Sequence, residues 1–160
     1  PEMRNEFHAA AEGLLPLRAV EGPTGECKLR AAGDWPPIAG EYHVLDPTGA
    51  VAVTTLASTD LPAVLAALKP EGLAIVGATE TENIGLDKIV RNTIANPALR
   101  VLIVAGQESR GHKSGQTLLA LVENGVDQDM RVIGSGGRRP HLRNSTVDEV
   151  EQFRQQVQGG

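Results

Sequence analysis

The sequence contains very few aromatic side chains. Phe, Trp and Tyr make up only 2% of its 160 residues, so the core must be built from Ala, Val, Leu and Ile. Proteins that bind nucleic acid commonly stack bases on aromatic rings and bind phosphates with an excess of basic charge. This chain has 15 Lys and Arg against 20 Asp and Glu, a formal net charge of −5. The composition therefore argues against general binding to nucleic acid.

Cysteine and long apolar runs are also scarce. The single cysteine, Cys27, cannot form an internal disulfide and belongs to no zinc-binding or redox spacing, which suits a reducing cytosolic setting. No apolar run approaches the ~18 to 20 residues that a membrane span needs, and the first residues lack the order of a secretory signal. We therefore expect a soluble, cytoplasmic protein without a membrane span.

The chain changes character near residue 40. Residues 1–40 are rich in Pro, Gly and charge and show no helical or strand period. We expect them to form an N-terminal arm with at most one short helix, around residues 5–12. Residues 41–160 are expected to form one α/β domain.

Short β-branched runs alternate with amphipathic segments from residue 42 onward. This alternation predicts strands over 51–56, 72–77, 99–105 and 131–133 and helices over 61–69, 83–96, 114–124 and 147–157. The last helix is expected to open with a capping box of Thr146 and Glu149. Strands that are apolar on both faces and are followed by crossover helices favour a parallel sheet. The predicted fold class is therefore α/β: a Rossmann-like, mostly parallel, doubly wound sheet with helices on both faces.

In such sheets ligands bind beyond the carboxyl ends of the strands. The loop after the third predicted strand, residues 106–116, holds three glycines and His112 directly before a helix. Glycines let a ligand approach the backbone, and the helix start offers free N–H groups. The loop resembles a phosphate-binding loop, but His112 separates the second glycine from Lys113 and Ser114. Phosphate or nucleotide binding through residues 106–114 remains an alternative.

His112 is also a candidate metal ligand, because neutral imidazole binds transition metals and its glycine neighbours leave space for a bulky cofactor. No second ligand follows at helical or hairpin spacing. A single histidine suits a metal that brings its other ligands with it in a macrocycle such as haem or a corrinoid. The simpler interpretation is a solvated loop histidine.

Two further loops are expected to lie beside the His112 loop on the same sheet edge. One follows the second predicted strand and the other follows the fourth. Their Thr and Asn residues are also typical helix caps, and their glycines are typical of turns. The candidate cofactor-binding residues of the three loops are Thr81, Glu82, Asn83, Gly106, Gln107, Gly111, Ser114, Gly115, Gln116, Gly134, Gly136, Gly137 and Pro140.

Arg138, Arg139 and Arg143 form the only basic cluster in the sequence. Its simplest interpretation is a solvated surface. The alternative is a site for an anion or for a partner protein.

Several separated motifs together resemble a known family. They are Thr81–Val90 (TENIGLDKIV), Asn96-Pro97, Gly111–Gln116 (GHKSGQ), Glu123–Gly125 and Val132–Gly134. In this order they are similar to the A subunit of the tetrahydromethanopterin S-methyltransferase of methanogens. The similarity begins at Trp35-Pro36 and covers about residues 34–157.

The resemblance implies a corrinoid cofactor, cobalamin or another cobamide, with His112 as the lower axial ligand of cobalt and the catalytic residue. It further implies that a methyl group is carried on cobalt from a methylated pterin to a thiol. The chain would then be the methyl carrier of a corrinoid-dependent methyltransferase, working with a partner methyltransferase protein rather than as a stand-alone enzyme. A non-catalytic module that binds or senses a corrinoid or another small ligand is the alternative.

Three features depart from the family pattern, the first of which is the N-terminal arm. No apolar segment follows the last helix where the family has its membrane anchor, and Arg138, Arg139 and His141 occupy apolar positions of the family. More familiar corrinoid domains hold the other ring nitrogen of the axial histidine with an Asp two residues earlier, where this chain has Arg110. We therefore expect Glu108 or a backbone carbonyl to hold that nitrogen of His112.

Overall fold

A computed structural model of the protein describes residues 34–157. Within them the strands are β1 (Tyr42–Val44), β2 (Val51–Leu56), β3 (Leu73–Gly77) and β4 (Val101–Gln107), and the helices are α1 (Leu61–Leu68), α2 (Ile84–Ile94), α3 (Ser114–Asn124) and α4 (Val147–Gln156). Most of the predicted arm, including the helix expected around residues 5–12, lies outside the described residues. The domain boundary near residue 40 stays a prediction.

The four strands form one mixed sheet in the order β1-β3-β2-β4. β2 is parallel to both of its neighbours, whereas β1 is antiparallel to β3. The α/β class is confirmed, but the sheet is mixed because of β1, which the sequence did not reveal. β1 has only three residues, two of them exposed, and is too short to show an alternating pattern. The doubly wound arrangement with helices on both faces stays a prediction.

The core lies between the sheet and the helices α2, α3 and α4. Ala52 of β2 and Leu102 of β4 are paired in register and are both buried. Against them pack aliphatic side chains of the helices and one aromatic ring, all completely buried: Leu86, Val90, Leu118, Leu121, Val150 and Phe153. The core therefore consists mainly of aliphatic side chains, as the composition predicts.

The predicted strand over residues 131–133 is wrong. Val132 and Arg131 make only isolated bridges, to Val126 and His141, outside the sheet. The Asp127 carboxylate accepts hydrogen bonds from the N–H groups of Asp129 and Arg131, at 2.9 Å each, and closes a tight turn of the kind that Asp favours. Because the turn fixes this backbone, Val132 is buried in the core without joining the sheet, whereas Ile133 is 46% exposed.

The segment before α4 is held by a buried carboxylate of α2. Asp87 is 3% exposed and accepts hydrogen bonds from the N–H groups of Arg143 and Asn144, from the Asn144 side chain and from the Ser145 hydroxyl, at 2.7 to 3.2 Å. α4 then begins with the capping box expected at Thr146 and Glu149. Hydrogen bonds to Asp87 thereby attach the residues before α4 to α2.

The end of β4 approaches β2 so closely that only glycine fits at residue 106. Gly106 has φ +87°, and an added Cβ would lie 2.2 Å from the Thr55 carbonyl oxygen. The pairing of β2 and β4 shifts in register between Thr54 and Leu56. Gly106 is therefore needed for the close packing of the two strands.

We expect Gly106→Ala to lower the free energy of unfolding by about 3 kcal/mol, because it combines a disfavoured φ with a backbone clash. Gly72 is a matched control, since it has φ +81° but open space around its Cβ position. Gly72→Ala is expected to cost about 1 kcal/mol. Urea unfolding followed by circular dichroism measures both, and equal losses would contradict the clash.

Candidate functional site

Glu82 lies between the end of β3 and the start of α2 and is 1% exposed. One carboxylate oxygen, Oε2, lies 2.5 Å from Nδ1 of His112. The other, Oε1, accepts hydrogen bonds from the N–H groups of Arg138 and Arg139, both at 3.0 Å. A single buried side chain thus joins the three loops that were expected to converge.

The hydrogen bonds keep Glu82 ionised. Burial opposes the charged form, but the hydrogen bonds from the Arg139 N–H and from His112 outweigh it and hold the pKa of the Glu82 carboxyl below its usual range. An ionised carboxylate can only accept hydrogen bonds, so Nδ1 of His112 carries the proton. In neutral His112 the lone pair is therefore on Nε2, the nitrogen that could bind a metal.

His112 remains accessible although one side of its ring is held. Its side chain is 41% exposed, and within residues 34–157 its Nε2 has no hydrogen-bond partner. The preceding Gly111 has φ +83°, and apart from its two chain neighbours no residue has an atom within 4 Å of its Cβ position. The site therefore combines a fixed, accessible imidazole with open space beside it.

Glu108 does not contact His112; it caps α3 instead. Its carboxylate accepts hydrogen bonds from the Gly115 and Gln116 N–H groups at 3.1 and 2.9 Å and from the Ser114 hydroxyl at 3.3 Å. These are the donors that a phosphate would use at the start of a helix. A phosphate bound there would have to displace an internal carboxylate, so the geometry does not favour the phosphate-loop alternative.

The loop from residue 134 to 140 is held against α3 by side-chain hydrogen bonds. Gln116 donates to the Gly134 carbonyl at 3.2 Å and accepts from the Gly136 N–H at 2.8 Å. The hydroxyls of Thr117 and Ser135 are 2.7 Å apart. The loop thus reaches the His112 site as expected, although no sheet strand precedes it.

Several candidate residues serve the fold. The Thr81 and Asn83 side chains accept hydrogen bonds from the Gly85 and Ile84 N–H groups and cap α2. Gly106 and Gln107 lie in β4 rather than in a loop. Other candidates are fixed by packing or by backbone pairing: Ser114 and Gly115 are buried at the start of α3, Gly137 packs against Glu82 and Thr117, and the carbonyl of buried Pro140 accepts from Val132.

Arg138 and Arg139 lie at the rim of this site, since their N–H groups bond to Glu82, whereas the Arg143 N–H bonds to Asp87. Arg138, Arg139 and Arg143 are exposed, and among residues 34–157 none of them forms a salt bridge. The Lys113 ammonium lies 3.3 Å from the Cβ position of Gly136. The rim is therefore positively charged in a chain of net negative charge.

The described residues contain neither a polydentate metal site nor a membrane span. Between residues 34 and 157 no group of three or more His, Cys, Asp or Glu side chains could hold a metal ion. In the same part of the chain no helix is long and apolar enough to cross a membrane.

Comparison with known proteins decides the family. The family profile of the A subunit of tetrahydromethanopterin S-methyltransferase matches residues 28–159. The chain belongs to this family. The resemblance inferred from the sequence motifs is thereby confirmed, and the match includes Glu82, His112 and the loop from residue 134 to 140.

Curated members of this family are similar over most of the chain. The A 1 subunit of the Methanobrevibacter ruminantium enzyme is 46% identical over 134 residues, which are 82% of this chain and 52% of that protein. The A 2 subunit of the Methanothermobacter thermautotrophicus enzyme is 46% identical over 128 residues, 78% of this chain and 67% of that protein. The A subunit of the Methanocaldococcus jannaschii enzyme is 42% identical over 130 residues, 81% of this chain and 53% of that protein. The chain thus spans between half and two thirds of the length of these relatives.

The sequence predicts Glu82 as a cofactor-binding residue but not as the residue that holds His112. The two residues are 30 positions apart, and their contact depends on how β3 and β4 flank β2. No local signal distinguished Glu82 from exposed Glu80 two positions earlier, because only burial makes the pairing of a carboxylate obligatory.

We expect Glu82→Gln to move the His112 proton from Nδ1 to Nε2, because an amide N–H can donate where a carboxylate can only accept. Nitrogen-15 chemical shifts of the imidazole ring measure the tautomer. Glu80 is exposed, and Glu80→Gln should leave the His112 tautomer unchanged. A protonated Nδ1 that persists in Glu82→Gln would refute this assignment.

Replacing Glu108 by Ala removes the carboxylate that caps α3. The expected loss is about 1 kcal/mol of unfolding free energy, as for other helix N-caps. Glu123, exposed near the end of α3, provides the comparison, and Glu123→Ala should cost less. Thermal unfolding of the two variants side by side tests the cap, which would be refuted if Glu108→Ala were as stable as the wild type.

Proposed function

We propose that the chain is the corrinoid-binding, methyl-carrying component of a methyltransferase, with His112 as the axial ligand of cobalt. Membership in the family of tetrahydromethanopterin S-methyltransferase A subunits supports a role in methyl transfer. The observation that supports corrinoid binding is the accessible imidazole of His112, which buried Glu82 holds at Nδ1.

The residues of the site fit a corrinoid better than a bare metal ion. A zinc or iron site needs three or four protein ligands, and no such group occurs among residues 34–157. A corrinoid brings its own equatorial nitrogens and needs one further ligand from the protein. The open space beside Gly111 allows a macrocycle to approach the histidine.

Each residue of the site has a defined part in this proposal. When bound, the corrinoid supplies a cobalt centre that can carry a methyl group. Glu82 holds the His112 ring in one orientation and one tautomer, which makes Nε2 the ligating atom. The backbone at Gly111, Gly134 and Gly136 would border the macrocycle, with Gln116 keeping the last two in place.

The substrates and the partner follow from the family and are proposals for this chain. We propose a methylated pterin as donor, a thiol as acceptor and a partner methyltransferase protein that catalyses at least one transfer. The exposed arginines at the rim are available to such a partner. We also propose a cytoplasmic location, because the single Cys27 suits a reducing compartment.

The proposal is tested by mixing the purified protein with hydroxocobalamin, removing unbound cofactor by gel filtration and recording the visible spectrum. The wild type should retain the corrinoid and show a spectrum different from that of the free cofactor. His112→Ala should lose the shift and bind at least about tenfold more weakly, since metal sites lose that much when a supporting residue alone is removed.

His43 provides the matched control, because it is an exposed histidine on β1, and His43→Ala should behave as the wild type. If the wild type retained no corrinoid, the proposed function would be wrong. If His112→Ala retained it with an unchanged spectrum, another residue would be the axial ligand.

A transfer assay separates a methyl carrier from a corrinoid-binding or sensing module. The loaded protein is first reduced with a strong chemical reductant, which supplies the two electrons that take hydroxocobalamin from Co(III) to Co(I). It is then incubated with a methylated pterin and the candidate partner, and afterwards with a thiol. A carrier should yield methylated thiol in an amount that depends on His112. Retention of the corrinoid without any transfer would favour the sensing alternative.

A further inference from the structure

The structure has a cavity that His112 does not line. It has a volume of about 300 Å³ and lies between the sheet and α2. Side chains of three strands and of the helix form its apolar walls, among them Ala52, Ile75, Ile89 and Leu102. None of its lining residues belongs to the loops at 106–116 or 134–140, but Thr79 and Thr81 of the loop that carries Glu82, and Gly85 after it, do line it. Its volume is at the lower end of the range for small-molecule sites, about 300 to 1,000 Å³.

The aromatic residues of the chain are concentrated at this cavity. Trp35 and Tyr42 are the only Trp and the only Tyr in the sequence, and both line the cavity. The Trp35 indole N–H donates to the Asn92 carbonyl at 2.7 Å, and the Tyr42 hydroxyl donates to the Ile38 carbonyl at 3.2 Å. Their polar atoms are therefore satisfied within the protein, which leaves the carbon surface of the rings to contact a ligand.

The polar residues in the lining indicate a ligand without net charge. Among the buried lining residues, the Asn92 amide is bonded to both backbone groups of Ile38, and no buried side-chain N or O atom in the described residues lacks a partner. Charged residues of both signs, Glu41, Glu80 and half-buried Lys88, lie at its edge. A charged ligand would find no unpaired partner deep in the cavity and would lose hydration.

The opening of the cavity combines charged residues with one exposed aliphatic side chain. Its exposed lining residues are Gly40, Glu41, Glu80 and Ile84, which places the opening between residues 40–41 and the start of α2. Ile84 is 58% exposed there. A large aliphatic side chain at the mouth of an apolar cavity adds contact area for whatever enters it.

We infer that this cavity is a binding site for a small, neutral, planar aromatic molecule of about 10 to 15 non-hydrogen atoms, which its volume accommodates at the packing density of protein interiors. The molecule lies between the sheet and α2 and contacts the Trp35 and Tyr42 rings, since aromatic pairs gain more than their buried area alone provides. The inference does not depend on corrinoid binding at His112.

A titration with 2-naphthol tests the site, and the nitrogen-15-labelled protein supplies the signal. The single indole N–H resonance belongs to Trp35 because the chain has no other Trp. We expect a saturable shift of this resonance with a dissociation constant of about 0.1 mM. The saturated analogue 2-decalol and the anion 2-naphthoate should each bind at least about tenfold more weakly, a difference of about 1.4 kcal/mol.

Two variants and one control locate the binding. Ile75→Phe fills the cavity and should abolish the shift, and Ile84→Ala should weaken binding about threefold through lost contact area. Val64 of α1 is 53% exposed and lies outside the cavity lining, so Val64→Ala should bind as the wild type does.

A titration of the wild type without a saturable shift would overturn the inference, and so would wild-type affinity in folded Ile75→Phe. Should Ile75→Phe fail to fold, equal binding by Ile84→Ala and Val64→Ala would overturn it instead. Equal affinities for 2-naphthol and 2-naphthoate would refute the preference for a neutral ligand, and equal affinity for 2-decalol would refute the preference for an aromatic one.

Discussion

The buried carboxylate of Glu82 is the contact on which the candidate site depends. An ionised group that is 1% exposed is tolerated only when hydrogen bonds replace its lost hydration. Glu82 obtains them from three residues on two other loops, His112, Arg138 and Arg139. The requirement to satisfy one carboxylate therefore also fixes the orientation of the imidazole and the position of the basic rim.

A second carboxylate extends the same principle along α2. Asp87 binds residues 143–145, and it lies five positions after Glu82, which binds the backbone at 138 and 139. Between them these two acids hold a segment that has no regular secondary structure and few backbone partners of its own. These two hydrogen-bonded carboxylates thus fix a segment that is not held by pairing with the sheet.

The sequence predicted the elements whose signals are local. The β-branched runs marked β2, β3 and β4, and the Thr146 and Glu149 pair marked the start of α4. It failed at residues 131–133, where the apolar run is short and the turn closed by Asp127 decides the backbone. It also missed β1, whose pairing with β3 is a contact between residues about 30 positions apart and leaves no periodic pattern in three residues.

The sequence by itself determined the α/β class, the family and His112 as the candidate ligand, because these depend on residue order and local spacing. Only the tertiary structure decided that Glu82 rather than Glu108 holds His112. Glu108 is the nearer acid along the chain, but it satisfies the free N–H groups at the start of α3. Likewise, Trp35 and Tyr42 share one cavity because the sheet and α2 bring separate segments together. Such contacts arise from packing in three dimensions, and nothing in the local sequence encodes them.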